Sequence, residues 1–299
     1  MSDQSMERDY IIRMTAENEQ IRAAAITGKQ LAEAARTAHR TSPLATAALG
    51  RLLCGTAMMG REMLKNDGDL ITVQIDGDGP LKGLLATADS AGNVKGYVKN
   101  PWVILPNKAD GHLDVGGGVG RGILSVTRDM GMNDPYSGQV ELRSGEIAED
   151  LTYYFAASEQ TPSSVGLGVL VDGQGQVLEA GGYIIQLMPF AAEEVIDRLE
   201  RNIRALPAVT EMLREDRNPE SLLSRALEGF SLHRLDETDV HWHCNCSRDR
   251  VERALMLIGK TELDQMILDG KGEELRCRFC NKAYPFSVED LKRIREIAK

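Results

Sequence analysis

Apolar positions along this chain follow two periods, and the places where one gives way to the other predict its elements. Tyr10-Ile-Ile-Arg-Met-Thr15 and Ile21-Arg-Ala-Ala-Ala-Ile26 read as two strands joined by the polar turn Glu17-Asn-Glu-Gln20. Lys29 to His39 reads as a helix, and Ala45 to about Lys65 as a second one, apolar on most faces. A helix that is hydrophobic all round is buried, so this second helix is expected at the centre of the core. Cys54 lies inside it and is expected to be a buried, unreactive thiol.

A strand-rich stretch follows. Leu70 to Ile75 alternates, Asp76-Gly-Asp-Gly-Pro80 turns, Leu81 to Ala88 is a second strand, Asp89 to Asn93 turns again, and Val94 to Lys99 completes a meander. Ile123 to Thr127 and Gly138 to Leu142 add two strands. Ile147 to Ser158 has helical spacing, with Ile147, Leu151, Tyr154 and Phe155 on one face. Val165 to Val171 and Gly182 to Met188 read as a closing hairpin. The predicted class is α+β, a mixed core domain with antiparallel sheet.

The glycine run Val115-Gly-Gly-Gly-Val-Gly-Arg-Gly122 matches neither phosphate-binding fingerprint and precedes a strand, so it is expected to be a flexible connection. His39, His112 and His233 are scattered, and Asp76 and Asp78 fall in a turn where polar residues are ordinary. This block offers no catalytic constellation, and the chain is not expected to be an enzyme.

After Pro189 the pattern changes. Ala191 to Val240 carries 12 acidic and 7 basic residues, half of the chain's net charge. Ile196, Leu199, Ile203 and Leu206 keep helical spacing until Pro207 interrupts. Asn218-Pro219 is a cap followed by proline at the first helical position, Leu222, Leu223, Ala226 and Leu227 supply an apolar face, and Gly229 ends the segment. Isolated helices this short are marginal in water. They must lean on neighbours, so 191–240 is expected to be a metastable helical linker following a core domain at 1–190.

The last block, 241–299, is too small for a generous core. Ser247 can cap a helix bearing Val251, Ala254, Leu255 and Ile258, Thr261-Glu-Leu-Asp264 resembles a capping box, and Ser287 can cap a final helix with Leu291, Ile294 and Ile297.

Here the cysteines change the picture. Four of five sit in this block as Cys244-Asn-Cys246 and Cys277-Arg-Phe-Cys280, separated by about 30 residues. Two close pairs at that spacing suit one tetrahedral ion, and soft thiolates favour zinc. Four sulfurs complete the tetrahedron, leaving His241 and His243 outside it. Each pair can also close as a local disulfide. The two states exclude each other. Thiolates about 2.3 Å from zinc stand roughly 3.8 Å apart, whereas disulfide sulfurs are about 2.05 Å apart. A zinc-thiolate redox switch is therefore one reading, a zinc-ribbon nucleic-acid or protein adaptor a second, and a thiol-disulfide oxidoreductase a third. Arg248, Arg250, Arg276 and Arg278 flank the pairs, and positive charge favours thiolate.

Composition narrows the partners. The 299 residues are 42% hydrophobic and 27% charged, with formal net charge −10. That sign does not steer a protein to phosphate backbones. No apolar run reaches the length of a membrane span, and the polar start Met1-Ser-Asp-Gln-Ser-Met has no signal-peptide character. Free thiols without an export signal point to a reducing cytoplasm.

The sequence His243-Cys244-Asn-Cys246-Ser-Arg-Asp-Arg250 together with Cys277-Arg-Phe-Cys280-Asn-Lys-Ala-Tyr284 resembles the heat-shock protein 33 family, redox-regulated cytoplasmic chaperones. Leu49-Gly-Arg51, Ile71 through Pro80, Ser158-Glu-Gln160 with Pro162, and Ala180 through Pro189 extend the resemblance over essentially the whole chain. It implies an ATP-independent holdase that is inactive while reduced and bound to one zinc ion. It further implies that oxidation forms disulfides Cys244–Cys246 and Cys277–Cys280, that zinc is released, and that the linker unfolds. The oxidised protein, as a homodimer, would then hold unfolding client proteins.

Overall fold

The structure, a computed structural model, describes residues 8–132 and 134–298. The polar start from which no export signal is expected lies, through residue 7, outside the described residues. The chain divides into two compact units between His243 and Cys244.

The first unit opens with β1 (Tyr10–Ala16), β2 (Ile21–Thr27), α1 (Lys29–His39) and α2 (Pro43–Met63). Next come β3 (Leu70–Gly77), β4 (Leu84–Asp89), β5 (Asn93–Val98), α3 (Val115–Val119), β6 (Gly122–Asp129) and β7 (Tyr136–Glu141). Then α4 (Ala148–Ala157), β8 (Ser163–Val171) and β9 (Val177–Leu187) lead into α5 (Glu193–Ala205), α6 (Val209–Glu215), α7 (Pro219–Ala226), β10 (Leu232–Asp239) and β11 (His241–Trp242). A five-stranded sheet has the order β10-β1-β2-β9-β8, antiparallel throughout. A six-stranded sheet has the order β11-β5-β4-β3-β6-β7, antiparallel except where β11 runs beside β5. The α+β class expected from the sequence is the one observed.

Helix α2 starts at the Ser42 cap, whose Oγ accepts the Ala45 N–H, and Pro43 occupies the first turn. Sixteen of its 21 residues are buried. It shares one core with Ile71, Val73 and Ala86 of the six-stranded sheet and with Ile11, Ala24 and Ile184 of the five-stranded sheet. Cys54 is fully buried here, and desolvation pushes its thiol far up.

The other face of the five-stranded sheet carries a second core. Ile12 and Met14 of β1, Ala23 and Ala25 of β2, and Ile185 of β9 meet Leu199 of α5, Met212 and Leu213 of α6, and Leu222 and Leu223 of α7. Strand β2 is thus covered on both faces, which explains its unbroken apolar run. Asn218 caps α7 through its Oδ1 and the Glu220 N–H, as expected, though the helix stops at Ala226, before Gly229. Arg217, just ahead of that cap, donates from Nε to buried Glu179 of β9 at 2.9 Å.

Several expectations need correction. The linker, expected to be helical, ends in β10, the edge partner of β1. Leu232 and Leu235 are exposed and no apolar alternation marks this strand. Its register is instead fixed by charge, with Asp236 accepting from Arg13 Nε at 2.9 Å and from Arg61 Nη2 at 2.9 Å. The glycine run is no loose connection. It contains α3, capped by Asp114, and presses against the Asp76–Pro80 turn so closely that a Cβ on Gly77 would lie 2.1 Å from the Val119 carbonyl oxygen. The meander's second strand begins at Leu84, after the turn, and not at Leu81.

The second unit holds α8 (Arg248–Leu257), α9 (Lys260–Asp269), β12 (Glu273–Arg276), β13 (Ala283–Phe286) and α10 (Val288–Ile297). Ser247 caps α8, and Ser287 with Asp290 forms a reciprocal capping box on α10. The box expected at Thr261–Asp264 does not form, because α9 already starts at Lys260 behind Gly259. Asp264 instead accepts from Arg295 at 2.8 Å. Seven buried apolar residues, Leu255, Leu263, Tyr284, Phe286, Leu291, Ile294 and Ala298, make up its core among the described residues. No helix among the described residues is long and apolar enough to cross a membrane.

Candidate metal centre

The second unit brings its two cysteine pairs together. Cys244 and Cys246 lie on the irregular stretch before the Ser247 cap, with one residue between them. Cys277 and Cys280 lie in the turn between β12 and β13. That turn is closed by Asn281 N–H to the Cys277 carbonyl at 2.8 Å and Cys277 N–H to the Lys282 carbonyl at 3.0 Å. Asn281 takes a left-handed conformation, φ 59°, which asparagine tolerates better than most residues. The pair therefore sits in a strand–turn–strand knuckle and not at a helix start, unlike the thiol arrangement of a disulfide oxidoreductase.

All four sulfurs lie within 4.8 Å of one another. Cys244 Sγ is 3.7 Å from Cys277 Sγ, and Cys246 Sγ is 3.4 Å from Cys280 Sγ. These spacings match the roughly 3.8 Å edge of a tetrahedral thiolate site and exceed a disulfide bond, and all five cysteines are free. The donor set and its spacing fit one tetrahedral, thiophilic metal ion. Both of these contacts run between the two pairs, as expected of groups converging on a common centre.

The shell around the sulfurs is apolar on one side. Cys246 and Cys277 pack against the seven-residue core. Burial raises the Cys244 and Cys280 thiols. Burial also acts to raise Cys246, but a hydrogen bond with the Tyr284 hydroxyl and the neighbouring thiols outweigh it and bring Cys246 down to about 7. In return the Tyr284 hydroxyl is raised to about 12, first by its hydrogen bond to Cys246. The Oη–Sγ distance is 3.1 Å.

Two of the four flanking arginines expected to favour thiolate, Arg248 and Arg276, have other partners. Arg248 donates to Asp290 at 2.8 Å and lies 4.4 Å from the centre of the Phe286 ring, while Arg276 donates to Glu274 at 2.6 Å. Tyr284 is the polar group that the spacing of cysteines does not reveal. The only trace of it in the sequence is a tyrosine four residues beyond Cys280, on the strand that returns from the knuckle.

Comparison with known proteins agrees with this geometry. The family model described as Hsp33 protein matches residues 9–287. The 33 kDa chaperonin of Agathobacter rectalis is 56% identical over 287 residues, covering 96% of this chain and 99% of that protein. The 33 kDa chaperonin of Clostridioides difficile is 49% identical over 288 residues, covering 96% and 98%. The crystal structure of the 33 kDa chaperonin (heat shock protein 33 homolog) from Thermotoga maritima superposes with a TM-score of 0.90 at 35% identity, covering 97% of this chain and 98% of that one. With a family match across nearly its whole length and a four-cysteine centre in its C-terminal unit, the chain belongs to the Hsp33 family.

Proposed function

We propose that this protein is an ATP-independent holding chaperone whose activity is gated by the oxidation state of Cys244, Cys246, Cys277 and Cys280. The observation that carries the reading is the convergence of these four sulfurs within 4.8 Å in a unit with so small a core, in a chain of the Hsp33 family. In the reduced state the four thiolates hold one zinc ion. When bound, the metal supplies structural cross-linking, and structural zinc contributes roughly 10–16 kcal/mol in small domains.

Under oxidant, Cys244 joins Cys246 and Cys277 joins Cys280. A sulfur in a disulfide is no longer a thiolate donor, so each pair that closes withdraws two ligands. The division proposed is a core domain at 1–190, a linker at 191–240 and a zinc-binding switch domain at 241–299. With the switch domain unfolded, the linker loses support and the apolar face it shares with β1, β2 and β9 becomes available to unfolding client proteins. The active species is a homodimer in the cytoplasm. Neither nucleic acid nor membrane is a proposed partner.

The test is light scattering of an aggregating client in the presence of the reduced and the peroxide-treated protein, with released zinc measured in parallel. Suppression only after oxidation, in step with zinc release, is expected. Equal suppression by the reduced, metal-loaded protein would remove the switch.

A further inference from the structure

The hydroxyl of Tyr284 lies at the sulfur cluster, hydrogen-bonded with Cys246 Sγ at 3.1 Å. Its position is fixed from three directions. The residue is 6% exposed, and its ring belongs to the core with Phe286 and Leu291. Its backbone is paired with Leu275 across the β12–β13 hairpin, and Lys282 Nζ stands 5.4 Å from the ring centre. Cys246 is served by a side chain, which a single substitution can remove.

We propose that Tyr284 is a positioning residue that donates its O–H to the Cys246 thiolate and slows that sulfur's reaction with peroxide, setting the oxidant level at which the switch responds. The inference rests on the function proposed above and adds to it the control of its rate. A thiolate reacts by presenting a lone pair to one peroxide oxygen. The S–O bond forms, the O–O bond breaks, and hydroxide leaves into solvent, where a buffer acid protonates it. Cys246 is oxidised to the sulfenic acid and the peroxide is reduced. The Cys244 thiolate then attacks the sulfenic sulfur, the S–S bond forms and a second hydroxide leaves. A hydrogen bond to the thiolate stabilises the starting charge, and that stabilisation is lost as the lone pair moves into the S–O bond. The bond is strongest before reaction and therefore acts as a brake.

The experiment uses the full zinc-loaded chain and two rates for each protein: zinc release driven by hydrogen peroxide, and zinc loss to a chelator without peroxide. Tyr284→Phe keeps the ring in the core and removes only the hydroxyl. It is expected to release zinc under peroxide at least about threefold faster, in line with the loss of one hydrogen bond to a charged group, while chelator-driven loss stays within about twofold. Leu291→Ala, which loosens the same core, is expected to speed both rates together. Mapping of the first-oxidised cysteine by mass spectrometry should show a larger share at Cys246 in Tyr284→Phe than in the wild type. An unchanged or slower peroxide rate in Tyr284→Phe overturns the proposal, and so does parallel acceleration of both rates. A wild type that binds no zinc, or keeps it under peroxide, would instead overturn the proposed function itself.

Discussion

In the first unit a single helix, α2, buries sixteen residues between two sheets, and the five-stranded sheet carries a further core on its outer face. The second unit buries seven apolar residues in all, and two of its four cysteines pack against them. Small units of this kind bury less of their surface than large ones, and this one brings four sulfurs together where a metal could cross-link it. If the second unit relies on one ion, as proposed, changing four atoms dissolves it, whereas two extended cores offer no such single point of failure.

The contrast is tested most severely by removing ligands. Cys277→Ser with Cys280→Ser should abolish stoichiometric zinc binding and unfold the second unit, while the first keeps its structure. Hydrogen exchange resolved by segment reads this directly: protection should vanish over 244–298 and persist in α2. Persistent protection in both units would show that the small core suffices without metal.

A smaller effect is expected at the linker's packing face. Leu199 and Leu222 are buried against the five-stranded sheet. Replacing either with serine should cost about 2–5 kcal/mol, the range for losing a buried leucine, and expose α5 to α7 to exchange while zinc stays bound. Client-holding activity should then appear without oxidant. Variants as silent as the reduced wild type would mean that this face is not what the switch uncovers.

A weaker, pH-dependent effect is expected at β10. Hydrogen bonding to Arg13 holds the Asp236 carboxyl below its ordinary range, with Arg61 adding to the pull. A carboxyl with a depressed folded-state value stabilises the fold above its unfolded value, about pH 4, and that contribution fades as pH falls through the folded value. Glu62, nearby and buried, is shifted upward by desolvation and has the opposite slope, so the wild type reports a sum. Subtracting the stability profile of Asp236→Asn isolates the aspartate. Solvent screening of this partly exposed pair keeps the expected difference below about 1 kcal/mol. A difference that does not shrink below pH 4 would remove Asp236 from the anchoring of β10.

The smallest effect concerns Cys54. Its burial keeps the thiol protonated, so the metal-free protein should show four rapidly titrating thiols and a fifth only once the first unit is denatured. Cys54→Ala should leave peroxide-driven zinc release unchanged. Five rapid thiols would contradict the buried position.

Much of this was legible in the residues. The all-round apolar helix from Ala45 onward, the meander turns at Asp76–Pro80 and Asp89–Asn93, the Asn218 and Ser287 caps, and the paired cysteines are local signals, set by periodicity, turn chemistry and spacing along a few residues of chain. What the sequence could not show depends on distant partners. β10 has no periodic signature because its side chains are largely exposed and its register comes from β1 and from Arg13 and Arg61. The glycine run looked loose because its packing partner, the Asp76–Pro80 turn, lies about 40 residues away. Cysteine spacing fixed which sulfurs could meet. Only the folded hairpin decided that Tyr284 would reach Cys246, because a hydrogen bond between residues 38 apart is a property of packing and not of local pattern.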